Sequence, residues 1–440
     1  MSSVYSADWV LPVGGPPVEH GAVAVEQGRI AAVGSVEELG EGERFEDAVI
    51  LPGLVDAHSH LEYAVYAGFG DGLPFDEWIL VHMERKARIG WDEFVAIARV
   101  GATECLRSGI TTIGDASFSG AAAIACAETG VRAIVYLEVF GRDSTELETR
   151  FAPNRERIEA SLSDRVRLGV SPHAPYTCGP DLYRACAELG LPTITHVAES
   201  RAEVDWLATG TGTWEPFAAD LPPPPGTTPV RHLAAEGLLR PGLVAAHCVK
   251  VDEEEIALLA EHGVAVAHCP RSNAILGCGI APVADLLAAG VTVALGTDSP
   301  ASTPSFDMFE ELRCAVYAAR SRAERPDALS ASQALELATL QAARALGLDD
   351  EVGSLAPGKR ADLTIVSLAG SPYLPWEEPA AAVVFGGSPE RVELTLVDGE
   401  ERYRKGETDW HELRRSAADA RERLLRREAR LPGPSAAPAR

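Results

Sequence analysis

Residues 51 to 63 read LPGLVDAHSHLEY, an apolar run that ends in two histidines one residue apart, His58 and His60. On a β-strand, residues i and i+2 point to the same face, so the two imidazoles can converge on one point. Such a pair is either part of a metal site or the half-exposed end of a strand, and the short motif alone leaves both open. The arrangement of the other strands has to decide.

The composition is that of an ordinary globular protein, with 440 residues, 46% hydrophobic residues and 24% charged residues. The first residues, MSSVYSADWVLPVGG, lack the features of a signal peptide, and no stretch approaches about 18 uninterrupted apolar residues. The net charge of −26 argues against a phosphate backbone as partner. We therefore expect a cytoplasmic protein that binds neither nucleic acid nor a membrane.

The eight cysteines are too sparse for a disulfide framework, and no CxxC pair occurs among them. Cys248 and Cys269 each follow a histidine directly, so on a strand they would point away from whatever His247 and His268 face. We predict that both cysteines are small core residues.

Eight apolar, β-rich runs follow one another along the middle of the chain, and most are separated by helical stretches such as DEEEIALLAEHG. Near-continuous apolar runs followed by helices indicate parallel strands that are buried on both faces. Eight such units over roughly 250 residues predict an α/β fold, the (β/α)8 TIM barrel. The runs are AVILPGLVDAHSH, GITTIGDAS, VRAIVYLEVFG, VRLGVSPHAP, LPTITHVAES, GLVAAHCVK, GVAVAHCPRSN and VTVALGTDSP.

Short alternating strands occur at both ends of the chain, in GAVAVEQGRIAAVG and in RVELTLVDGEERYR, and they can pair into one small sheet domain. We predict a composite β-sandwich domain from residues 1–50 plus 353–408, a barrel over 51–352, and a C-terminal helix and tail over 409–440. The last residues, LPGPSAAPAR, are predicted to be disordered. The Pro/Gly-rich segment 209–230 is either a lid or a solvated insertion.

Most polar residues that could bind a metal or take part in catalysis lie at the C-terminal ends of the predicted strands. In a (β/α)8 barrel these ends face one mouth, so the residues converge although they are far apart in the sequence. Structure alone gives no reason to place imidazoles there, and the pattern therefore favours a metal site. The residues, in strand order, are His58 and His60, His173, His196 with Glu199, His247, His268 and Asp298.

The motifs HSH, HVAES, AAHC, HCPRSN and LGTDSPAS occur in the order found in the amidohydrolase superfamily. Over nearly its whole length the chain resembles the branch of that superfamily that contains nucleoside deaminases and triazine hydrolases. The resemblance implies four metal ligands: His58, His60, His196 and Asp298. Three neutral imidazoles and one carboxylate suit Zn²⁺, although Fe²⁺, Mn²⁺ or Ni²⁺ would accept the same set.

Binuclear members of the superfamily carry a bridging carboxylated lysine at the end of the fourth strand. No lysine lies in the corresponding run, VRLGVSPHAP, so we expect a single metal ion. The lysines of the chain are Lys86, Lys250, Lys359 and Lys405.

The resemblance also implies catalytic roles for Glu199, His247 and Asp298. A metal lowers the pKa of its bound water towards about 7, and Asp298 would accept a proton from that water. His247 would orient the water for attack on the amino-bearing ring carbon. Glu199 would contact the substrate, protonate a ring nitrogen and help the amine to leave as ammonia. His268 is left outside this set.

Two further residues are predicted to bind substrate. His173, in SPHAPYT, resembles a substrate-contacting histidine of the deaminases that act on adenosine-like nucleosides. Glu84, in HMERK, is placed after the PFDEW segment and would reach ribose hydroxyls. Phe75, Trp78 and Trp214 are expected at the barrel mouth, where loops select the substrate. The remaining histidines are interpreted as surface or packing residues; they are His20, His82, His232, His262 and His411.

The function implied by the resemblance is that of a metal-dependent aminohydrolase acting on C–N bonds other than peptide bonds. The expected substrate is an adenine-type nucleoside: 6-aminodeoxyfutalosine, S-adenosylhomocysteine or methylthioadenosine, of which the first is ranked highest. The alternative is a chlorohydrolase or aminohydrolase of a triazine or another N-heterocycle with the same metal site. A homodimer is expected from the habit of the family.

Overall fold

The computed structural model describes residues 2–370 and 378–425, and in these ranges it contains sixteen strands. They are β1 (Ser2–Val10), β2 (Val18–Glu19), β3 (Gly21–Glu26), β4 (Arg29–Ser35), β5 (Glu43–Pro52), β6 (Leu54–Ser59), β7 (Ile110–Ser117), β8 (Arg132–Val139), β9 (Val166–Pro172), β10 (Thr193–Val197), β11 (Leu243–His247), β12 (Ala265–His268), β13 (Val293–Leu295), β14 (Leu363–Ser367), β15 (Val392–Val397) and β16 (Glu400–Arg404).

The helices of the described ranges connect and cover these strands. They are α1 (Val36–Leu39), α2 (Phe75–Lys86), α3 (Trp91–Arg107), α4 (Ala121–Thr129), α5 (Ala152–Ile158), α6 (Pro180–Glu188), α7 (Arg201–Thr209), α8 (Pro229–Ala235), α9 (Glu253–Glu261), α10 (Pro270–Ile275), α11 (Val283–Ala288), α12 (Met308–Ala323), α13 (Ala331–Leu337), α14 (Leu340–Ala345), α15 (Pro379–Gly386), α16 (Trp410–Ser416) and α17 (Ala418–Leu425). None of them is long and apolar enough to cross a bilayer.

Strands β6 to β13 form one parallel sheet in sequence order, and the first and last of them meet through a parallel bridge between Ser59 and Asp298. Each of the eight apolar runs therefore supplies one barrel strand, and the predicted (β/α)8 barrel is confirmed. The barrel strands are mostly buried along their full length, as expected for a sheet with an interior on one side and helices on the other.

Strands from the two ends of the chain form a second, mixed sheet in the order β16-β15-β14-β5-β1-β3-β4, with β2 paired to β1. The predicted pairing of the N- and C-terminal segments is thus confirmed, in the form of one mixed sheet. One side chain cluster of this sheet buries residues from both ends of the chain, including Tyr5, Val23, Ile50, Leu363 and Leu394.

The exact domain limits, 1–50 plus 353–408 and 51–352, stay predictions. Beyond them, the charged stretch after Asp409 forms α16 and α17 as far as residue 425. The segment LPGPSAAPAR lies outside the described residues.

The barrel interior is filled mainly by small and branched side chains from seven of the eight strands. Side chains of α14 and of the segment that follows it complete this cluster. This cluster is separate from the one that the barrel strands form with the covering helices. On β8 the inward residues are Ile134 and Tyr136, so the strand period of two turns Glu138 towards the same axis, one step closer to the mouth.

A buried ion-pair network joins the barrel to the mixed sheet. Arg132, the first residue of β8, donates to both carboxylate oxygens of Asp362 at 3.0 and 3.2 Å and to Asp398 at 2.6 Å. Arg132 is 2% exposed and Asp362 is 3% exposed, so neither charge can be solvated by water. Loss of the cation would leave a buried carboxylate without its partner, which is costly.

We expect Arg132→Met to lower the free energy of unfolding by about 3–5 kcal/mol, because it leaves the Asp362 carboxylate unpaired in the interior. Urea unfolding of the metal-loaded protein measures the change. The matched control is Arg184→Met, which removes a solvent-exposed arginine paired with Asp181 and Glu236 and should cost less than about 1 kcal/mol. Similar small losses for the two variants would contradict a structural role for this network.

Candidate metal centre and active site

Three imidazoles and one carboxylate converge at the barrel mouth. His60 Nε2 lies 3.4 Å from His196 Nε2 and 3.5 Å from Asp298 Oδ1. His58 Nε2 lies 3.7 Å from the same carboxylate oxygen. Ligand atoms held at about 2.1 Å from a tetrahedral zinc ion are about 3.4 Å apart, so these separations match the edges of such a site. The four residues are those implied as metal ligands by the sequence motifs.

The hydrogen bonds around the imidazoles leave lone pairs directed at this centre. His196 Nδ1 lies 2.8 Å from the backbone carbonyl of His173 and must donate to it, which leaves the Nε2 lone pair unprotonated. His58 is fully buried, and neither of its ring nitrogens has a hydrogen-bond partner within the described residues. Buried polar atoms without partners are rare and costly, and a metal ion would account for His58 Nε2.

The carboxylate of Asp298 is oriented by two hydroxyl groups. Ser272 and Ser302 donate to Oδ2 at 2.6 and 2.9 Å, which leaves Oδ1 facing the histidines. Burial alone would raise the pKa of Asp298, but attraction to His247 and His60 and the Ser272 hydrogen bond lower it overall. Asp298 is therefore ionised at neutral pH, as a metal ligand or a base must be.

The backbone that carries Asp298 is held in an uncommon conformation. Asp298 has φ of 57°, in the left-handed region that non-glycine residues rarely adopt. The preceding Thr297 donates its backbone N–H, at 2.9 Å, and its hydroxyl to the buried carboxylate of Asp56. Gly296 is required next to them, because a Cβ there would lie 2.8–3.0 Å from the backbone and Cβ of His58.

Glu199 and His247 lie next to the Asp298 carboxylate. Ligand atoms of the three residues are all within 4.8 Å of one another, and His247 Nε2 is 3.7 Å from Glu199 Oε2. His247 Nδ1 donates to Asn273 Oδ1 at 3.0 Å, so Nε2 carries the lone pair. Burial lowers the pKa of His247, and the imidazole is neutral at neutral pH.

The surroundings of the Glu199 carboxyl group favour its protonated form. Burial, assisted by the nearby charges of Asp298 and Glu203, raises the pKa of Glu199 well above its ordinary value. A protonated carboxyl beside a neutral imidazole and an ionised carboxylate can act as a proton donor near neutral pH.

Glu203 braces the turn that presents Glu199. Its carboxylate accepts the backbone N–H groups of Ala198 at 3.0 Å and Glu199 at 2.8 Å, and Ala198 has φ of 52°. Glu203 is fully buried in the first turn of α7, where Ser200 caps its own backbone N–H. By accepting two backbone N–H groups, the Glu203 carboxylate thus fixes the strained residue and the proton donor together.

His173 reaches the site from the end of β9. Its Nδ1 lies 2.8 Å from the Thr177 hydroxyl, which in turn donates to the carbonyl of Ala174 at 3.2 Å. His173 Nδ1 therefore donates, and Nε2 is the acceptor. The ring centroid lies 4.8 Å from that of His196 and 4.8 Å from that of Phe140, between the metal ligands and an aromatic wall.

The structure does not join Glu84 to this group. Glu84 lies on the exposed side of α2 with 40% of its side chain accessible, and it pairs with Arg88 one helical turn away at 2.5 Å. Glu84 was predicted from its place after the PFDEW segment. On α2, however, its side chain is turned towards the solvent. The ribose contact of Glu84 thus gains no support from the contacts of the described residues and stays a prediction.

The aromatic residues expected at the mouth form a buried cluster there. Trp214 stacks on Tyr176 at 4.5 Å between ring centroids, and Phe75 contacts Trp214 edge-on. Trp78 stacks on His82 and donates to the carbonyl of Ala301. Trp214 thereby fixes the segment 209–230 against the mouth, while its action as a lid stays a prediction.

Several residues of the site were not singled out from the sequence. Asn273 and Ser272 lie in the HCPRSN motif, and Glu203 follows Glu199 by one helical turn, so the motifs themselves contained a signal for them. Glu138 is the acidic residue of the third run, VRAIVYLEVFG. A charged residue near the C-terminal end of a buried strand was the signal for it.

A family model described as the amidohydrolase family matches residues 49–402. The chain belongs to the amidohydrolase family. It is 35% identical over 413 residues to a 5'-deoxyadenosine deaminase of Methanothermobacter thermautotrophicus, with 91% of this chain and 92% of the relative covered. A 5-methylthioadenosine/S-adenosylhomocysteine deaminase of Moorella thermoacetica is also 35% identical, over 420 residues, with coverages of 90% and 93%.

A solved structure supports the same assignment of this amidohydrolase. The crystal structure of an adenosine deaminase from Xanthomonas campestris with bound zinc superposes with a TM-score of 0.85 at 29% identity, covering 96% of this chain and 98% of that one. Together with the converging histidines, this supports a divalent metal, and Zn²⁺ in particular, at the mouth of the amidohydrolase barrel.

We expect the amidohydrolase to bind one zinc ion per chain and His58→Ala to abolish tight binding. Loss of a residue that only supports a ligand costs about 10–100-fold in metal affinity, and loss of a direct ligand should cost more. Elemental analysis after dialysis against a competing chelator measures the stoichiometry. The control is His232→Ala on the half-exposed helix α8, which should keep the metal. Retention of one equivalent by His58→Ala would exclude His58 as a ligand.

Proposed function

We propose that this amidohydrolase is a metal-dependent hydrolytic deaminase of an adenine-type nucleoside. The observation that carries the proposal is the buried carboxyl of Glu199 beside His247 and Asp298, directly next to the three converging histidines; burial raises the pKa of this carboxyl and so favours its protonated form. The names of the two similar curated relatives, both deaminases of 5'-modified adenosines, support this substrate class.

The metal site is best suited to one divalent cation held by His58, His60, His196 and Asp298. Zn²⁺ fits this donor set, which Fe²⁺, Mn²⁺ or Ni²⁺ would also accept. When bound, such a cation supplies the Lewis acidity that lets a water molecule act as a nucleophile near neutral pH. The absence of lysine from β9 supports a single ion.

Asp298 and His247 would prepare the water. Asp298 is ionised, and its Oδ1 accepts no hydrogen bond within the described residues, so it can accept one water proton. His247 has its Nε2 lone pair directed into the site, so it can accept a hydrogen bond from the same water and orient it. The water oxygen then bonds to the amino-bearing carbon of the ring.

Glu199 would donate its proton to the ring nitrogen next to that carbon, which removes the charge that attack places on the ring. The proton held by Asp298 passes to the amino group, and the carbon–nitrogen bond breaks as ammonia leaves. The second water proton returns to Glu199 as the carbonyl forms. The sum is one water consumed, one oxo-heterocycle and one ammonia produced, with every residue restored.

Within adenine nucleosides, 6-aminodeoxyfutalosine, S-adenosylhomocysteine and methylthioadenosine are the proposed candidates, in that order. The same metal site would serve a triazine chlorohydrolase, but chloride leaves without protonation and would not need the acid at Glu199. The homodimer and the cytoplasmic location remain predictions.

Ammonia release by the zinc-loaded protein tests the reaction against a panel of substrates: 6-aminodeoxyfutalosine, S-adenosylhomocysteine, methylthioadenosine, adenosine, guanine and a chlorotriazine. We expect turnover of an adenine nucleoside, and a loss of about 10²–10⁴-fold in kcat for Glu199→Gln, because an amide cannot act as a general acid. Glu188→Gln, at an exposed position of α6, is the control. Chloride release from the triazine without any nucleoside turnover would overturn the proposal.

Glu203→Gln should lower kcat for the same substrate about five- to a hundredfold while zinc content and KM stay near those of the wild type. One backbone N–H of the Ala198–Glu199 turn would face an amide nitrogen, which costs about 1–3 kcal/mol and displaces the proton donor. Steady-state kinetics beside elemental analysis separates this effect from general damage. An unchanged kcat, or an equal loss of bound zinc, would rule out a positioning role for Glu203.

A further inference from the structure

Glu138 is a buried carboxyl at the barrel mouth that the proposed chemistry does not use. It is 2% exposed and lies one residue before the end of β8. Ile134 and Tyr136, on the same strand face, belong to the cluster inside the barrel. Because side chains on a strand alternate, Glu138 continues this inward row and points into the mouth rather than to the surrounding helices.

The carboxylate of Glu138 has no hydrogen bond and no ion pair at 4.0 Å or less within residues 2–370 and 378–425. Two cations lie nearby, but both are engaged with aromatic rings. Lys86 Nζ is 4.1 Å from the ring centroid of Phe118, and the Arg150 guanidinium is 4.3 Å from the same centroid. Arg150 donates to the backbone carbonyls of Glu138 and Phe118 rather than to the carboxylate. A buried carboxyl without donors is costly unless a ligand supplies them.

A second acceptor lies beside Glu138. A carboxylate oxygen of Glu138 and a ring nitrogen of His173 are within 4.8 Å of each other and of His196. The hydrogen bond of His173 Nδ1 to Thr177 leaves Nε2 as a lone-pair acceptor. Two acceptors that lack protein donors are therefore placed side by side, close to the metal ligands.

The surroundings disfavour a second metal ion between these residues. Lys86 and Arg150 add positive charge, and both act on Glu138 and His173 electrostatically. His196 has no lone pair to spare, because its Nδ1 donates to the His173 carbonyl and its Nε2 belongs to the first metal site. The pair thus requires a ligand with two neighbouring hydrogen-bond donors rather than a cation.

We propose that Glu138 and His173 form a diol-binding pair that accepts hydrogen bonds from the two neighbouring hydroxyl groups of the substrate's sugar. This inference rests on the proposed function, since it assigns the sugar of the nucleoside to a part of the same site. Each acceptor takes one hydroxyl proton, and Phe140 beside His173 covers the apolar face of the sugar. The pair thereby fixes the distance from the sugar to the metal and places the amino-bearing carbon opposite Glu199.

The test compares adenosine, 2'-deoxyadenosine and 3'-deoxyadenosine as substrates of the zinc-loaded wild type, Glu138→Gln and Glu138→Leu. With adenosine we expect kcat/KM to fall by about tenfold to a hundredfold in Glu138→Leu, mainly through KM, and by less in Glu138→Gln, whose carbonyl oxygen still accepts. At least one deoxy substrate should show the loss already in the wild type, and no further loss in Glu138→Leu. Glu148→Gln, on the exposed segment that follows, is the matched control and should behave as the wild type.

Equal relative losses for adenosine and both deoxy substrates in Glu138→Leu would overturn the diol-binding pair, and so would a wild type that does not distinguish the three. In both cases ammonia is still released, and the proposed deaminase stands. If the zinc-loaded wild type releases no ammonia from any adenine nucleoside, the proposed function fails and this inference fails with it. Zinc content and the thermal unfolding temperature, measured for each variant, show whether Glu138→Leu is folded, and Glu138→Gln gives the same comparison if it is not.

Discussion

Strands β13 and β6 meet through two backbone hydrogen bonds that both involve Asp298. Its N–H donates to the carbonyl of His58 at 2.9 Å, and its carbonyl accepts the N–H of His60 at 3.2 Å. The bonds that close the barrel are therefore the bonds that bring the first two histidines to the carboxylate. Residues 240 positions apart in the sequence become neighbours only because the eighth strand returns to the first, so the metal site requires a closed barrel.

The strand ends that carry the chemistry store backbone strain. Ala198, His247 and Asp298 all have positive φ, at a cost of about 1–3 kcal/mol each for non-glycine residues. The surrounding polar groups compensate for this cost: Glu203 holds the first turn, Asn273 fixes the His247 ring, and Asp56 accepts the hydrogen bonds of Thr297. These supporting residues hold the backbone and the rings of the site in place by hydrogen bonds. For this reason a site with few metal ligands needs a larger set of buried carboxyl and amide groups.

The sequence was informative where a residue's position on a strand determines its direction. The eight runs and the polar residues at their ends needed only the period of two and the common mouth of a barrel. The choice of His58, His60, His196 and Asp298 as metal ligands came from the resemblance of the motifs to the family; the structure brings the four side chains together, and their role as ligands stays a prediction. The ribose contact predicted for Glu84 gains no support, because the direction of this side chain depends on the phase of α2 against the barrel, which local spacing does not determine. Glu138 was overlooked because its environment depends on the absence of partners from other elements, and only a three-dimensional arrangement shows an absence.

The two sides of the mouth differ in what constrains them. On the metal side, His196, His247 and Asp298 are each tied to a neighbour by a hydrogen bond, and a substitution there disturbs the reaction whatever the substrate is. On the side of Glu138, His173 and Phe140, the two acceptors have no donor within the described residues and the cations rest on aromatic rings. A change in the proposed diol-binding pair would therefore alter which molecule is held without altering the attacking water. A barrel with this division can keep one hydrolytic reaction while its substrate changes, because recognition and chemistry use different strand ends.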